Sequence, residues 1–237
     1  MSQMRKDVVV VIPAFNEGTL IGECIDQWLR VLDSLNLNYG LLIIDDGSSD
    51  ETISVIESYS DNQGIQLIKK ENEGHGPSIL LGYRKAVSTA EWVFQADSDN
   101  EISPHQFSLL WSRRQGKDAV IAWRQNRRQT RIRRALTVFA RLATRVLFGC
   151  NLRDVNIPFR LIRSEVLMIF LERIPSDIFA PNIALSGALS LMDFDVVECP
   201  VVFNERTSGD SSLSGLKAVR KGSRALLELI KISRVFP

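Results

Sequence analysis

Short segments rich in Val, Ile and Leu alternate with segments of helical spacing through the first 125 residues, and polar clusters follow most of the strand-like segments. Strands are predicted at 7–13, 39–44, 65–69, 91–95 and 118–122, and helices at 18–35, 50–59, 74–90 and from residue 104. Ser49 or Asp50 can cap the second helix, and Pro77 lies near the first turn of the third. This alternation predicts an α/β fold whose mostly parallel sheet carries helices on both faces.

After residue 125 the regular alternation of strand and helix ends, and helices predominate. Helices are predicted at 130–148, from residue 164, around 182–191 and at 216–232, with strands at 159–162 and 195–202 and a polar loop at 206–215. The helix at 130–148 is basic and amphipathic, and its predicted apolar side consists of Leu136, Phe139, Ala140, Ala143, Val146 and Leu147. No repeat or linker divides the sequence. We therefore expect a single domain over 1–237, with parts at 1–125, 126–215 and 216–237.

The composition excludes several classes of protein. The chain has 237 residues, 45% hydrophobic and 24% charged, which is enough for a sizeable core and argues against disorder. Cys24, Cys150 and Cys199 lie far apart without a CxxC pair, so neither a disulfide framework nor a thiolate zinc site is expected, and a reducing compartment is. No apolar stretch matches a signal-peptide core or the roughly 18–20 residues of a spanning helix. A soluble or peripheral protein is expected.

The formal net charge of +1 conceals an asymmetry along the chain. Residues 1–100 hold 16 acidic and 7 basic side chains, whereas the remainder holds 12 acidic and 22 basic ones. The segment 111–145 contains eleven Lys and Arg against one acid, Asp118. Such a basic segment indicates an anionic partner or, alternatively, a solvated charged face. Nucleic acid is not expected, because few aromatic residues interrupt the basic segment.

The polar segments that follow the strands are the best candidates for a site. In an open parallel sheet, ligands bind beyond the carboxyl ends of the strands, where this sequence places 13–17, 45–48, 72–76 and 97–99. Asp97 and Asp99 are two residues apart on extended backbone, so their side chains point to the same side and can converge on one cation. Carboxylates clustered in this way favour a divalent cation bound with a polyphosphate. His75, in contrast, is interpreted as structural or solvent-facing, because no second His or Cys stands at ligand spacing.

The order of these motifs resembles the nucleotide-binding half of family 2 glycosyltransferases, which have the GT-A fold. The segments that carry the resemblance are VIPAFNE, IIDDGSSDET, NEGHGPSILLGYRKA and QADSDNEISP. Beyond them, RDVNIPFRLIRSEVL is similar to the Asp-x-x-x-x-Phe-Arg block of the polyprenyl-phosphate branch, and ERTSGDSS to its Arg-x-x-Gly-x-Ser element. The resemblance implies a metal-dependent enzyme that transfers a sugar from a nucleoside-diphosphate sugar to a polyprenyl phosphate, with a hydroxyl acceptor as the alternative. It also makes 1–125 the nucleotide-sugar half and 126–215 the acceptor half.

The resemblance also implies roles for individual residues. The implied nucleotide-binding residues are Pro13, Ala14, Phe15, Glu17, Asp46 and Asp97, with Asp46 contacting the base. Asp97 and Asp99 would hold Mg²⁺ or Mn²⁺, with Glu101 as a third ligand. The implied catalytic residues are Asp99, Arg124 and Asp154, and the acceptor- or phosphate-binding ones are Arg133, Thr137, Arg160 and Arg206. Two departures, Pro158 for a common glycine and Ser212 for a common lysine, concern the acceptor side.

The chemistry leaves the acceptor open. A lipid phosphate is ionised near neutral pH and needs no strong base, whereas a hydroxyl acceptor needs one, for which Asp154 is the candidate. A single in-line displacement predicts inversion at the anomeric carbon. A third alternative is a module that binds nucleotide sugars without catalysis.

A cytoplasmic enzyme at the cytoplasmic face of a membrane is expected. The helix at 130–148 would place its apolar side in the membrane interface and its arginines at anionic headgroups. The alternative is that this helix packs on the sheet with its arginines in water.

Overall fold

A computed structural model describes residues 5–125, 131–204 and 215–236. The described chain forms a seven-stranded sheet in the order β3-β2-β1-β4-β6-β5-β7. Its strands are β1 Lys6–Ala14, β2 Tyr39–Asp45, β3 Ile65–Lys69, β4 Ala90–Gln95, β5 Ala119–Gln125, β6 Arg160–Arg163 and β7 Val196–Val202. Its α-helices are α1 Ile21–Ser34, α2 Thr52–Glu57, α3 His75–Ala86, α4 Phe107–Ser112, α5 Arg131–Phe148, α6 Ser164–Arg173, α7 Pro181–Leu191 and α8 Gly215–Ser233. A short 3₁₀ helix, Pro104–Gln106, precedes α4.

The mostly parallel sheet predicted from the sequence is confirmed, with one reversed strand. β1 pairs in parallel with β2 and β4, β2 with β3, and β5 with β7, whereas β6 runs antiparallel to both β4 and β5. β5 is therefore parallel to β4, and Arg124 near its carboxyl end lies at the same edge of the sheet as the ends of β1, β2 and β4. Because β6 is reversed, the loop that enters it, residues 149–159, also lies at that edge.

Helices cover both faces of the sheet because successive residues of each strand point to opposite sides. Phe94 of β4 packs against Trp28 of α1, with ring centroids 5.4 Å apart. The next residue, Gln95, accepts a hydrogen bond from the Tyr83 hydroxyl of α3 on the other face, at 2.5 Å. Close approach on that face requires Gly82, because a Cβ at this position would lie 2.3 Å from Val11 Cγ1.

Three helices of the second half of the chain, α5, α7 and α8, pack against one another. α5 packs mainly on α7 and α8 rather than on the sheet, whereas the arginines Arg134, Arg141 and Arg145 are exposed, as the alternative to a membrane contact predicted. The buried side of α5 includes Ala143, Thr144 and Phe148. Val146, predicted to lie on the apolar side, is 75% exposed, because it lies on the face opposite α7 and α8. Within the described ranges, no helix is both long and apolar enough to cross a bilayer.

Candidate active site

The ends of β1, β2 and β4 surround a cavity of about 380 Å³, called here the small cavity. Hydrogen bonding locks two of these ends side by side, since Ala14 pairs with Asp45 and the Asp46 N–H donates to the Ala14 carbonyl at 2.9 Å. The predicted residues found in its wall are Pro13, Ala14, Phe15, Glu17, Asp46, Asp97 and Asp99. The wall also contains Asn72, Gly74, His75 and Ser98, which lie in the predicted segments 72–76 and 97–99 but were given no individual role, and Ser78, which lies outside the predicted segments.

The segment 45–50 organises the loops around the small cavity. Asp45 Oδ2 accepts hydrogen bonds from the N–H groups of Gly47 and Ser48, at 3.2 and 3.1 Å. The Asp50 carboxylate accepts from the N–H groups of Gly18 and Thr52, both at 3.0 Å. Glu51 directly precedes α2 but makes no capping hydrogen bond with its side chain, whereas the Asp50 side chain accepts from the Thr52 N–H at the start of α2, as predicted for Ser49 or Asp50. Asp50 also ties the loop after β1 to the start of α2.

Asp46 fastens the loop that leads into α3. Its Oδ1 accepts from Lys70 Nζ at 2.6 Å and from the Glu73 N–H at 3.0 Å, and its Oδ2 accepts from the Gly74 N–H at 2.8 Å. Burial alone raises the pKa of Asp46, but these hydrogen bonds outweigh burial and hold it below its usual value. Gly74, which donates one of these hydrogen bonds, has φ +100°, a conformation that glycine adopts without strain. Asp46 therefore shapes the small cavity, and its contact with a base remains a prediction.

Asp97 and Asp99 lie in the walls of the small cavity and of a second, larger one. In the described part of the chain, Asp97 Oδ1 is buried without a hydrogen bond, while Asp99 Oδ1 accepts from the Glu101 N–H at 3.1 Å. Burial raises the pKa of Asp97 to about 6; His75 opposes that rise and the Asp99 charge adds to it. A buried carboxylate oxygen without a donor, beside a second carboxylate, fits a divalent cation.

Asp97 and Asp99 supply too few ligands to complete the coordination shell of a metal ion by themselves. Among residues 5–125, 131–204 and 215–236, no three His, Cys, Asp or Glu side chains are arranged as a metal site. Glu101 lies in the wall of the large cavity, but its role as third ligand remains a prediction. Because Mg²⁺ commonly takes one or two carboxylates and completes its shell with phosphate oxygens and water, the two aspartates fit a cation that arrives with a diphosphate.

The larger cavity, of about 810 Å³, begins at the acidic pair and extends between helices. Its polar end contains Arg124 and Asp154. Its apolar walls come from three helices: Leu136, Phe139, Ala140 and Ala143 of α5, Ile183 of α7, and Leu226 and Leu229 of α8. Thr137, predicted to contact an acceptor phosphate, is in this wall as well. The large cavity therefore joins a charged end to a groove that is partly apolar and whose wall also carries Arg141, Arg153, Asp177 and Arg224.

Arg124 and Asp154 form an ion pair at the polar end. Arg124 Nη1 donates to Asp154 Oδ2 at 2.9 Å, and the two side chains are 9% and 11% exposed. Both residues were predicted as site residues, and the structure places them together beside Asp97 and Asp99. Their contact was not predicted, because 30 residues separate them in the sequence.

The prediction that Arg160 binds a phosphate is wrong. Its side chain is completely buried, and its guanidinium donates to the carbonyls of Val155, Ile157 and Asn182 and to Ser186 Oγ. Burial lowers the pKa of Arg160. The guanidinium therefore stabilises the interior and is not available to a ligand. The side chain of Arg133 and all of Arg206 lie outside the described residues, so their predicted roles remain predictions.

His75 lies in the predicted segment 72–76, but sequence reasoning gave its side chain no role in the site. The imidazole is exposed, as predicted, but it lies in the walls of both cavities, with Nε2 3.6 Å from Asp97 Oδ1. The signal that could have found it is its position between Gly74 and Gly76 directly after a strand-end loop. Gly76 is required there, because a Cβ would lie 2.2 Å from the Ile178 carbonyl.

Comparison with known proteins defines the class. The family model described as Glycosyl transferase family 2 matches residues 9–170, and the chain belongs to this family. The resemblance found in the sequence is thereby confirmed, and the chain carries a family 2 glycosyltransferase domain.

The chain is also similar in sequence to individual curated proteins. The chain is 26% identical over 216 residues to the undecaprenyl-phosphate 4-deoxy-4-formamido-L-arabinose transferase of Proteus mirabilis (strain HI4320), covering 90% of this chain and 64% of the relative. It is 26% identical over 208 residues to the protein of the same name from Shewanella sediminis (strain HAW-EB3), covering 86% of this chain and 61% of that protein. The chain thus spans somewhat under two thirds of the length of these relatives.

Solved structures confirm the GT-A fold. Glucosyl-3-phosphoglycerate synthase from Mycobacterium tuberculosis in complex with UDP matches with a TM-score of 0.67 and 18% identity, covering 98% of this chain and 81% of the other. The same synthase with Mn²⁺, UDP and glucosyl-3-phosphoglycerate matches with a TM-score of 0.66 and 18% identity, over the same shares of the two chains. At this identity the likeness describes the fold alone.

Proposed function

We propose that this chain transfers a sugar, with inversion, from a nucleoside-diphosphate sugar to a polyprenyl phosphate in the presence of Mg²⁺ or Mn²⁺. The observation that carries the proposal is the position of Asp97 and Asp99 in the walls of both cavities. A donor in the small cavity and an acceptor in the large cavity would meet at this pair. Family membership and the names of the curated relatives support the same reaction.

The shape of the large cavity supports a lipid phosphate as acceptor. Its charged end would receive the phosphate beside Arg124 and Thr137, and its groove between α5, α7 and α8 would receive the apolar chain. A sugar acceptor, by contrast, would leave the apolar groove walls without a partner. Burial of apolar surface contributes about 25 cal/mol per Å², so a lipid chain gains affinity there that a sugar does not.

The donor would bind through the residues of the small cavity. Phe15 is 47% exposed at its wall and offers a ring face to the nucleoside, with Glu17 beside it. Arg124 would contact the diphosphate from the large-cavity side. Bound Mg²⁺ or Mn²⁺ at Asp97 and Asp99 would neutralise charge on the departing diphosphate.

The reaction itself is a single displacement. An oxygen of the acceptor phosphate attacks the anomeric carbon, the bond from that carbon to the diphosphate oxygen breaks, and the nucleoside diphosphate leaves with the electron pair. The acceptor oxygen is already ionised, so no proton is transferred. One displacement inverts the anomeric centre.

The decisive experiment offers matched acceptors to the purified chain. UDP- and GDP-sugars are incubated with Mn²⁺ and either undecaprenyl phosphate or undecaprenol, and products are identified by mass spectrometry and by NMR of the anomeric centre. Product from the phosphate alone, with inverted configuration, is expected. Product from the alcohol alone, or retained configuration, would contradict the proposal. Nucleotide binding without any product would favour the non-catalytic module.

We further propose that the protein works at the cytoplasmic face of a membrane, with α5 as the contact. Val138, Leu142 and Val146 are 59%, 58% and 75% exposed and form a stripe at helical spacing, with Arg141 and Arg145 exposed beside it. Apolar side chains flanked by arginines match an anionic bilayer surface. This stripe differs from the side predicted from sequence, because Ala143 of that side is buried toward α7 and α8.

Flotation with liposomes containing anionic lipids tests this contact. Leu142→Asp is expected to reduce binding at least tenfold, because a charge in the stripe opposes insertion. Met168→Asp is the matched control, since Met168 is an exposed apolar residue of α6 that lies outside the stripe. Equal binding of wild type and Leu142→Asp, or no binding of wild type at low or high salt, would overturn the membrane contact.

A further inference from the structure

Arg124 uses little of its hydrogen-bonding capacity. A guanidinium carries five N–H donors, and in the described part of the chain Arg124 donates one hydrogen bond, to Asp154. Its Nε is buried without a partner there, and the guanidinium carbon lies 5.4 Å from the centre of the Phe203 ring. Arg124 lies in the cavity wall beside Asp97 and Asp99, so its remaining N–H donors are placed near the acidic pair. Such a group fits an anionic ligand.

Asp154, in contrast, is held firmly from both sides. The N–H of the preceding residue, Arg153, donates to Glu198 Oε1 of β7 at 2.7 Å. The carbonyl of the following residue, Val155, accepts from Ser186 Oγ of α7 at 2.8 Å. The backbone on either side of Asp154 is therefore tied to β7 and to α7, and the carboxylate has a fixed position from which to hold Arg124.

The buried Arg160 completes this support. It donates to the carbonyls of Val155 and Ile157, within the loop that carries Asp154, and to the Asn182 carbonyl of α7. The Asp-x-x-x-x-Phe-Arg block thus begins with a residue that faces the cavity and ends with one that fastens the loop behind it. The cavity-facing carboxylate depends on the buried guanidinium for its placement.

We propose that Asp154 is a positioning residue, which holds the Arg124 guanidinium against the donor diphosphate, and is not a general base. An ion-paired carboxylate at 2.9 Å would lose its partner if it took a proton. The charge-assisted hydrogen bond also restricts a side chain that would otherwise be flexible. This inference rests on the proposed function, in which the acceptor phosphate needs no base.

The test separates positioning from base catalysis with Asp154→Asn. As a positioning residue, Asp154 is needed for donor binding: we expect the affinity for a nucleoside diphosphate with Mn²⁺ to fall about tenfold and the shape of the pH–rate profile to stay unchanged. A general base predicts the opposite, with donor affinity kept, kcat lowered by about 10²–10⁴-fold and the acidic limb of the profile lost. That second pattern would overturn the inference.

A double-mutant cycle measures the coupling directly by calorimetry. If Asp154 acts through Arg124, then Arg124→Ala with Asp154→Ala should bind the nucleoside diphosphate no more weakly than Arg124→Ala alone. Independent, additive losses would overturn the inference. Asp195→Asn is the matched control, because it breaks the exposed Lys117–Asp195 ion pair at the opposite ends of β5 and β7. Its donor affinity should equal that of wild type.

These results distinguish the inference from the function on which it rests. Wild type that binds no nucleoside diphosphate would overturn both. Wild type that binds nucleotide and forms product, with Arg124→Ala weakened and Asp154→Ala unchanged, would overturn the positioning role alone. Urea unfolding of each variant shows whether a loss of affinity reflects a loss of fold, and Asp154→Glu, which retains the charge, should restore part of the affinity.

Discussion

The two cavities share Asp97 and Asp99 but are built in different ways. The small cavity is formed at strand ends, where the sheet fixes each loop and the carboxylates of Asp45, Asp46 and Asp50 are bound to backbone N–H groups. The large cavity is formed by helices, and its polar groups are held by side-chain contacts such as Arg124–Asp154. The comparison teaches that the small cavity takes its shape from the backbone, whereas the large cavity depends on the packing of α5, α7 and α8.

This difference predicts which changes affect chemistry and which affect stability. At the small cavity, we expect the sheet to persist when one side chain of the wall is removed, so that activity can be lost while the fold remains. At the large cavity, the buried Arg160 links the loop at 155–157 to α7, so we expect its removal to affect the fold itself.

The largest effect is expected for Asp99→Ala, which tests the acidic pair common to both cavities. Turnover should fall by at least about 10³-fold, because the carboxylate that would help to hold the cation is gone. The free energy of unfolding should change little. Turnover is measured by mass spectrometry and cation-dependent nucleotide binding by calorimetry. Glu101→Gln is the comparison variant, and a loss as large as that of Asp99→Ala would establish Glu101 as a third ligand. Full turnover in Asp99→Ala would refute the metal role.

The next effect is on stability and tests the acceptor side. Arg160→Met should lower the free energy of unfolding by about 3–5 kcal/mol, because the carbonyls that Arg160 satisfies are left buried without donors. Urea unfolding measures the change, and Arg173→Met, at an exposed arginine that donates to one carbonyl, should cost less than about 1 kcal/mol. If Arg160→Met had normal stability but bound the acceptor more weakly, the prediction that Arg160 binds a phosphate would be supported.

The Arg160 prediction also shows how far the sequence could be interpreted. The strand at 65–69 was predicted with its observed limits, and all residues of the small cavity except Ser78 lie in predicted segments, because those segments stand at or directly after strand ends. Burial and partners are not visible in a motif, so Arg160 could not be told from an arginine that binds phosphate. The reversed direction of β6 and the Arg124–Asp154 contact were missed for the same reason, since both depend on long-range packing.

An intermediate effect on stability is expected at Gly76, at the start of α3 in the wall of the large cavity. Gly76→Ala should lower the free energy of unfolding by about 2 kcal/mol, because the new Cβ would lie 2.2 Å from the backbone carbonyl of Ile178 and the loop or α3 must move. Gly222→Ala is the matched control on α8, where the nearest atom is 3.6 Å away, and it should raise stability by about 0.5–1 kcal/mol. Equal effects of the two variants on the free energy of unfolding would show that the loop at Ile178 or α3 moves to admit the Cβ without cost.

The smallest effect on stability is expected for Asp46→Asn, and its dependence on pH tests how the small cavity is held together. Burial raises the pKa of Asp46, but hydrogen bonds from Lys70 and the N–H groups of Glu73 and Gly74 hold it below its usual value. The ionised carboxylate therefore stabilises the fold above the unfolded pKa of about 3.9, and this contribution is lost as the pH falls through the lower folded pKa. At pH 7 the variant should be less stable by about 1–2 kcal/mol.

The measurement compares unfolding of wild type and Asp46→Asn in urea at pH 7 and pH 3. The difference between them should shrink at pH 3, because this pH lies below the unfolded pKa of about 3.9 and part of the stabilisation by the ionised carboxylate is lost there. Asp61→Asn, at an exposed aspartate, should show no difference at either pH. A difference that stays constant from pH 7 to pH 3 would mean that Asp46 supports the loop by its shape and not by its charge, and that this backbone-defined cavity does not depend on the ionised form.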